Sequence, residues 1–184
     1  MAVSRIPTRA QGFTIIELVV VILILGVLAA TALPRFMDVD DEAHAAVVQG
    51  VRGGLQTGFS LYHAQWVAEG QPAAGTQIVD FNSLRTNAAG YPYGLADTAG
   101  DAVATSAECQ QVYEGVLQAG APSITNAASV AAVVGSTSDF TVVRSGTDCV
   151  FHYTAQTSVS GNSVPALTYN SNNGAVSQSS VALP

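Results

Sequence analysis

Glu17 is the residue whose chemistry fits its surroundings least. It is the single charge in the 21-residue run from Phe13 to Leu33, which is rich in aliphatic side chains. As an α-helix this run would rise about 31 Å, enough to cross the hydrocarbon core of a bilayer. A carboxylate near the bilayer centre costs about 2.5–3.5 kcal/mol, and less near a helix end. The pattern therefore predicts a spanning helix whose acid needs a partner. The alternative is a carboxyl that snorkels to the cytoplasmic interface.

Cys109 and Cys149 are the only cysteines and can form one intrachain bridge. If the C-terminal part of the chain lies outside the inner membrane, a disulfide is the expected state. Closing a loop of about 40 residues stabilises a fold by roughly 4 kcal/mol in the chain-entropy model. The alternative is a pair of buried thiols that remain unpaired.

No part of the sequence predicts catalysis, a cofactor or a metal site. The three histidines, His44, His63 and His152, are far apart and lack ligand spacing with the cysteines. The glycines between positions 50 and 54 lack the lysine and the strand-to-helix context of a phosphate-binding loop. We therefore expect a protein that is not an enzyme and has no cofactor, with its histidines at the surface or in packing roles.

Four acids lie within residues 38–42, directly after the apolar run, and could suggest calcium binding. An EF-hand loop needs Gly at its sixth position and an acid at its twelfth. Counted from Asp38, these positions hold Ala43 and Gln49. We interpret the acids as a solvated helix face that could also interact with Arg35, or with Arg52 of another copy of the chain.

The charge balance argues against a nucleic-acid partner. The 184 residues, enough for one domain plus an anchor, carry a net charge of -7, with six arginines, no lysine and thirteen acids. Direct contact with nucleic acid is not expected, because such binding depends on neutralising several phosphates. The segment after residue 70 is rich in small and hydroxyl residues, which indicates an extracytoplasmic domain rich in β-structure.

Residues 1–12 contain two arginines and no acid. Followed by an apolar run, this composition predicts a cytoplasmic amino terminus and a C-terminal part outside the membrane. A secretory signal peptide is the alternative, because residues 29–32 could mimic a cleavage site. The apolar run is longer than such signals usually have, and helical character continues beyond Pro34.

The stretch from Gly12 to Val21, GFTIIELVVV, closely resembles the amino terminus of type IV pilins and related pseudopilins. In that family a prepilin peptidase cuts after the Gly and N-methylates the new N-terminal Phe, here Gly12 and Phe13. Gly26 and Pro34 also fall where type IVa pilins have theirs, and the resemblance implies that the segment between them partly unwinds in the filament. In a helix Pro34 removes a hydrogen bond, and Gly26 lowers helix propensity by about 1 kcal/mol.

Cleavage before Phe13 would also supply the missing partner of Glu17. It would create an α-amino group, positive at neutral pH because its ordinary pKa is about 8. On a neighbouring subunit this amine can pair with Glu17 when the helices are staggered in a filament core. Removing one partner of a buried pair costs about 3–5 kcal/mol, so the pair can enforce the register of assembly.

The predicted fold is α+β, the type IV pilin fold, with a long helix as its spine. Its parts are a leader (1–12), the hydrophobic half of the helix (13–34), an amphipathic half (35–69) and a globular head (70–184). The amphipathic half ends at residues 69–72. Residues at three- and four-residue spacing predict an apolar stripe that supports a β-sheet: Val47, Val51, Leu55, Gly58, Tyr62 and Trp66.

In the head, residues 70–105 predict a long connection that occupies the place of the variable αβ-loop of pilins. The pattern from Thr105 to Glu108 is a capping box, which predicts a short helix over about 106–118. Two hairpins are expected after it, giving a small antiparallel sheet of about four strands: 140–145 with 149–155, and 166–169 with 175–178. The cap, turn and cysteine placement resembles pilins of the mannose-sensitive haemagglutinin type.

The resemblance implies a structural subunit, the major pilin, that polymerises through its helix into a filament for attachment, biofilm formation or motility. Its partners would be copies of itself, prepilin peptidase, the assembly machinery of the inner membrane, and that membrane before assembly. The head would be periplasmic first and extracellular in the filament. The alternatives are a type II secretion pseudopilin and a membrane-anchored binding or enzymatic ectodomain.

Overall fold

The computed structural model describes residues 12–96, 102–156 and 163–184. The chain divides into two compact units, Met1–Ala43 and His44–Pro184, called here the N-terminal unit and the C-terminal unit. Except for Gly12, the predicted leader lies outside the described residues. The first helix, α1, has the bounds Ile15–Ala68.

The N-terminal unit contains one stretch long and apolar enough to cross a membrane. Ile15–Leu33 has a mean hydropathy of 2.8, and none of it is buried. Large apolar side chains point outward all round this part of the helix, for example Leu18, Val21 and Leu25. A helix that is apolar on every face needs an apolar environment, either lipid or other protein.

Within the C-terminal unit, α1 buries one face against the rest of that unit. Leu55 and Tyr62 are fully buried, in agreement with the predicted stripe. The prediction was wrong by one position at the start of the stripe, where Val48 is 2% exposed and Val47 is 38% exposed. Phe59, which the stripe omitted, is also buried. The completed face is formed by Val48, Val51, Leu55, Phe59, Tyr62 and Trp66.

Gly70 ends α1. Gly70 adopts φ of 84°, and its N–H donates to the carbonyl of Val67 at 3.0 Å. The N–H of Gln71 donates to the carbonyl of Trp66 at 3.0 Å. These bonds satisfy carbonyls that the last turn would leave without partners, so the helix stops where the sequence predicts.

A small antiparallel sheet follows within the predicted connection. It is formed by β1 (Gln77–Ile78), β2 (Leu84–Thr86) and β3 (Pro92–Gly94), with a short 3₁₀ turn at Val79–Phe81. The prediction of a connection without strands was therefore incomplete. Strands of two or three residues are too short to show an alternating pattern.

The second helix, α2 (Ser106–Leu117), begins at the predicted capping box. The Thr105 hydroxyl oxygen accepts from the Glu108 N–H at 3.2 Å, and the Glu108 carboxylate accepts from the Thr105 N–H at 3.0 Å. α2 packs close to α1, because a Cβ at Gly58 would lie 2.3 Å from a methyl of Val116. A glycine at position 58 thus allows α2 to lie close to α1.

The main sheet has five strands in the order in which they occur along the chain. The strand β4 runs parallel to β5, and the remaining pairs are antiparallel. Both predicted hairpins are confirmed, the second with longer strands. The strand count exceeds the predicted four: β4 (Ile124–Asn126), β5 (Phe140–Ser145), β6 (Asp148–Tyr153), β7 (Ser163–Asn170) and β8 (Val176–Ala182).

Aromatic side chains fill the space between this sheet and the helices. Phe59 of α1 stacks on Tyr169 of β7 with ring centroids 3.9 Å apart. Tyr113 of α2 packs against Phe140 and Phe151 on neighbouring strands. The architecture is therefore α+β, as the sequence predicts, with one core between helices and sheet.

Candidate functional site

Glu17 lies in the first turn of α1 and is held there by Thr14. One carboxylate oxygen, Oε2, accepts from the N–H of Thr14 at 3.1 Å and from its hydroxyl at 3.1 Å. The Thr14 hydroxyl oxygen in turn accepts from the Glu17 N–H at 3.3 Å. This reciprocal pair is a capping box with Thr14 as N-cap, and the positive end of the helix dipole favours an acid at this position.

The cap at Thr14 is not among the predicted features, although the same pattern predicts the cap at Thr105 and Glu108. The signal was present: a threonine followed three residues later by a glutamate, ahead of an apolar run. The consequence is that Glu17 does not stand alone in the single chain. Its carboxylate offers about four acceptor positions, and the two bonds from Thr14 leave room for a further donor.

Gly12 and Phe13 precede the capping box and are both exposed. The Phe13 side chain is 91% exposed, and a Cβ at Gly12 would meet nothing within 4 Å. Backbone on either side of the predicted cleavage point is therefore open to another protein. The assignment of cleavage and methylation to these two residues stays a prediction, as does the pairing of Glu17 with a neighbouring amine.

Gly26 and Pro34 lie inside α1, whose helical backbone continues through both in this single chain. Between them, the Thr31 hydroxyl donates to the carbonyls of Leu28 at 2.9 Å and Val27 at 3.4 Å. Such back-bonding competes with the helix ladder and often bends helices. Pro34 has no N–H to donate. Unwinding of this segment concerns the filament and stays a prediction.

The two cysteines are joined, which confirms the predicted disulfide. Cys109 in the first turn of α2 is bonded to Cys149 near the start of β6, across a sequence separation of 40. Both are fully buried. The bridge ties the short helix to the hairpin.

The histidines each pack against a neighbour in the C-terminal unit. The Nδ1 atom of His44 is 2.7 Å from the Tyr153 hydroxyl, and His63 stacks on Tyr91 with ring centroids 4.9 Å apart. His152 is buried, with Nδ1 at 3.2 Å from the carbonyl of Thr141. Burial lowers the pKa of His152 below its ordinary value, although the bond to this carbonyl opposes the change.

The first 33 residues contain a known family motif. The model for the prokaryotic N-terminal methylation motif matches residues 7–33. A type IV narrow pilus major component, PilA5 of Thermus thermophilus, is 42% identical over 64 residues, which is 35% of this chain and 53% of that protein. The type IV major pilin protein PilE1 of Neisseria gonorrhoeae is 38% identical over 72 residues, 37% of this chain and 42% of PilE1.

This chain carries the prokaryotic N-terminal methylation motif and is similar to type IV pilins. The chain spans about half the length of the curated relatives it matches. Type II secretion system core protein G of Pseudomonas aeruginosa is also similar, at 39% identity over 54 residues, 29% of this chain and 38% of that protein. No solved structure gives a significant match to the chain. The family motif includes the segment that contains Glu17.

Proposed function

We propose that this chain is a structural subunit, the major pilin, of a type IV pilus. The observation that carries the proposal is the arrangement at the amino terminus. A methylation motif, an acid held at the first turn and an entirely exposed apolar helix occur together there. The relatives of the chain include a major component of a narrow pilus and major pilins.

Assembly begins with cleavage after Gly12 and N-methylation of Phe13 by prepilin peptidase. The apolar helix then rests in the inner membrane with its amino terminus on the cytoplasmic side and the rest of the chain in the periplasm. When the helix moves from the membrane into a filament, one apolar environment replaces another. The apolar contacts alone therefore do little to fix the register of neighbouring helices. The pair between Glu17 and the amine of a neighbouring Phe13 supplies the register.

The capping box at Thr14 and Glu17 defines the state of the acid before assembly. While the chain is single, two hydrogen bonds from Thr14 satisfy part of the Glu17 carboxylate. A neighbouring ammonium adds a charge-assisted bond, which is roughly twice as strong as a neutral one. The partners of the chain are copies of itself and the assembly machinery. The filament serves attachment, biofilm formation or motility. Its final location is extracellular.

Substitution of the acid tests this account. In cells that express the full chain, Glu17→Ala should abolish or severely reduce surface filaments while the subunit still inserts in the membrane. Electron microscopy of sheared material, with immunoblotting of the membrane fraction, measures both. Normal filaments from Glu17→Ala would refute the register argument.

A pseudopilin of a type II secretion system is the second candidate, because part of the chain is similar to a core protein of that system. A pseudopilin forms a short periplasmic filament in place of a surface pilus. Sheared surface filaments that contain this chain favour the pilus. Their absence, together with a secretion defect in a deletion strain, favours the pseudopilin.

A further inference from the structure

The turn between β7 and β8 contains the only Asn-Gly pair of the chain, Asn173 and Gly174. The side-chain amide of an asparagine can react with the main-chain nitrogen of the next residue. Glycine favours this reaction, because it has no side chain to block the approach. Asn173 is exposed, so water and base reach it. The pair therefore has the residue types and the exposure that deamidation needs.

The reaction requires water as its only co-reactant. The Gly174 nitrogen loses its proton to base and attacks Cγ of Asn173. The new N–Cγ bond forms, the Cγ–Nδ2 bond breaks, and ammonia leaves with a proton from solvent. Water then opens the cyclic imide at one of its two carbonyl carbons, which gives aspartate or isoaspartate. The net change is asparagine and water to an acid and ammonia.

Two hydrogen bonds of the folded turn oppose the first step. The N–H of Gly174, whose nitrogen is the nucleophile, donates to the carbonyl of Asn170 at 2.9 Å. The Oδ1 atom of Asn173 accepts from the N–H of Ala175 at 3.0 Å, which forms an Asx turn. Deprotonation of Gly174 requires the first bond to break, and the second bond holds the side chain in one conformation. The closed turn is therefore the unreactive state.

Contacts with other parts of the C-terminal unit keep the turn closed. Ser171 is fully buried, and its hydroxyl donates to the carbonyl of Thr147 at 2.7 Å. Its own carbonyl accepts from Nδ2 of Asn87 at 2.5 Å. The ring of Tyr91 lies so close to Gly174 that a Cβ would not fit there. Opening the turn disturbs these contacts, so the reactive state is a minor one.

We propose that Asn173 is a site of spontaneous deamidation and that opening of the β7–β8 turn sets its rate. The product adds one negative charge to a chain whose net charge is already -7. Isoaspartate also adds a methylene to the main chain, beside a glycine that Tyr91 leaves no room to enlarge. Modified copies therefore have a loosened turn and accumulate with the age of the protein. The proposal does not depend on filament assembly.

A comparison of the folded and the denatured chain tests the proposal. The purified full-length chain is incubated in detergent at mildly alkaline pH, with and without guanidinium chloride. Peptide mass spectrometry follows the fraction of Asn173 converted to the acid. We expect conversion to be slower in the folded chain by about ten-fold or more, because each hydrogen bond contributes about five-fold to the opening equilibrium. Equal rates, or no conversion in guanidinium chloride, would refute the proposal.

Ser171→Ala loosens the turn without changing the reacting pair. It removes the bond to Thr147, so conversion in the folded chain should be about three- to five-fold faster, with the rate in guanidinium chloride unchanged. Thr154→Val is the matched control and should leave both rates unchanged. The Thr154 hydroxyl also donates to a carbonyl at 2.7 Å, that of Ser138, away from the turn. Equal acceleration by the two variants would contradict control by the turn. If Ser171→Ala does not fold, the unaltered chain still decides the question.

Asn172 provides a comparison within the same peptide. It is also exposed, but the residue after it is an asparagine, whose side chain hinders the attack. In guanidinium chloride, where the turn is absent, Asn172 should convert more slowly than Asn173. Conversion of the two residues at the same rate would show that Gly174 has no special role and would overturn the assignment to Asn173.

Discussion

Gly174 in the turn between β7 and β8 allows a sharp stability prediction. Its φ is +69°, and a Cβ built there would lie 2.1 Å from a ring carbon of Tyr91. Alanine therefore meets two penalties: about 1–2 kcal/mol for the left-handed backbone and about 1–3 kcal/mol for overpacking. We expect Gly174→Ala to lower the free energy of unfolding by about 2–5 kcal/mol, because the ring is itself stacked on His63 and cannot move freely.

Gly146 supplies the matched control. It lies in the turn between β5 and β6 with φ of +62°, and a Cβ there would meet nothing within 4 Å. Gly146→Ala should therefore show the backbone penalty alone, about 1–2 kcal/mol. Urea unfolding of the full chain in detergent, followed by near-ultraviolet circular dichroism, measures both. Equal losses for the two variants would refute the clash with Tyr91.

Three further predictions concern the disulfide, a histidine and the helix start. Reduction of the bridge, or the double change Cys109→Ser with Cys149→Ser, should lower the free energy of unfolding by up to roughly 4 kcal/mol in urea titrations, and an unchanged midpoint would contradict this. Because burial lowers the pKa of His152, the unfolded chain binds more protons, so stability should be full above about pH 6.5 and fall as pH drops below it. His152→Gln should flatten that dependence in thermal melts between pH 7 and pH 5, and an identical slope would exclude His152 as its source. Thr14→Val should weaken the start of α1 by about 1 kcal/mol, seen as faster hydrogen exchange at the Glu17 amide in micelles, whereas unchanged exchange would show that the hydroxyl contributes nothing.

The elements that the sequence predicts well are those whose signals are local. The capping box at Thr105 and Glu108 sets the start of α2, and Gly70 sets the end of α1. The strand-forming residues of Phe140–Ser145 predict β5, and the turn that follows it predicts the hairpin with β6. In each case a few neighbouring residues determine the backbone geometry, so no tertiary information is needed.

The elements that escaped prediction depend on distant parts of the chain. The strand β4 is three residues long and exists because Ile124–Asn126 pairs with residues of β5 some distance away. The edge strand β8 was predicted only as far as Gln178, because its central serines and glutamine leave no apolar alternation to mark the rest of it. Whether Val47 or Val48 is buried depends on how α1 is rotated about its axis. That rotation is set by the residues that pack against the helix.

At the assembly segment, the sequence predicts the acid and the apolar run but not the state of the acid in the single chain. The sequence predicts that Glu17 gains its partner, a cation, only from another copy of the chain. The capping bonds from Thr14 show that it already has partners within its own first turn. During assembly the neighbouring amine must then add to these two hydrogen bonds or replace them. The pattern of charge and hydropathy alone does not predict these bonds.

The mass of the first peptide of the chain in purified surface filaments tests the central claim most directly. Filaments are sheared from cells, digested, and their amino-terminal peptide is identified by mass spectrometry. The account predicts a peptide that begins at Phe13 and has one methyl group on its α-amine. A chain that keeps residues 1–12, or filaments that lack this chain altogether, would contradict it.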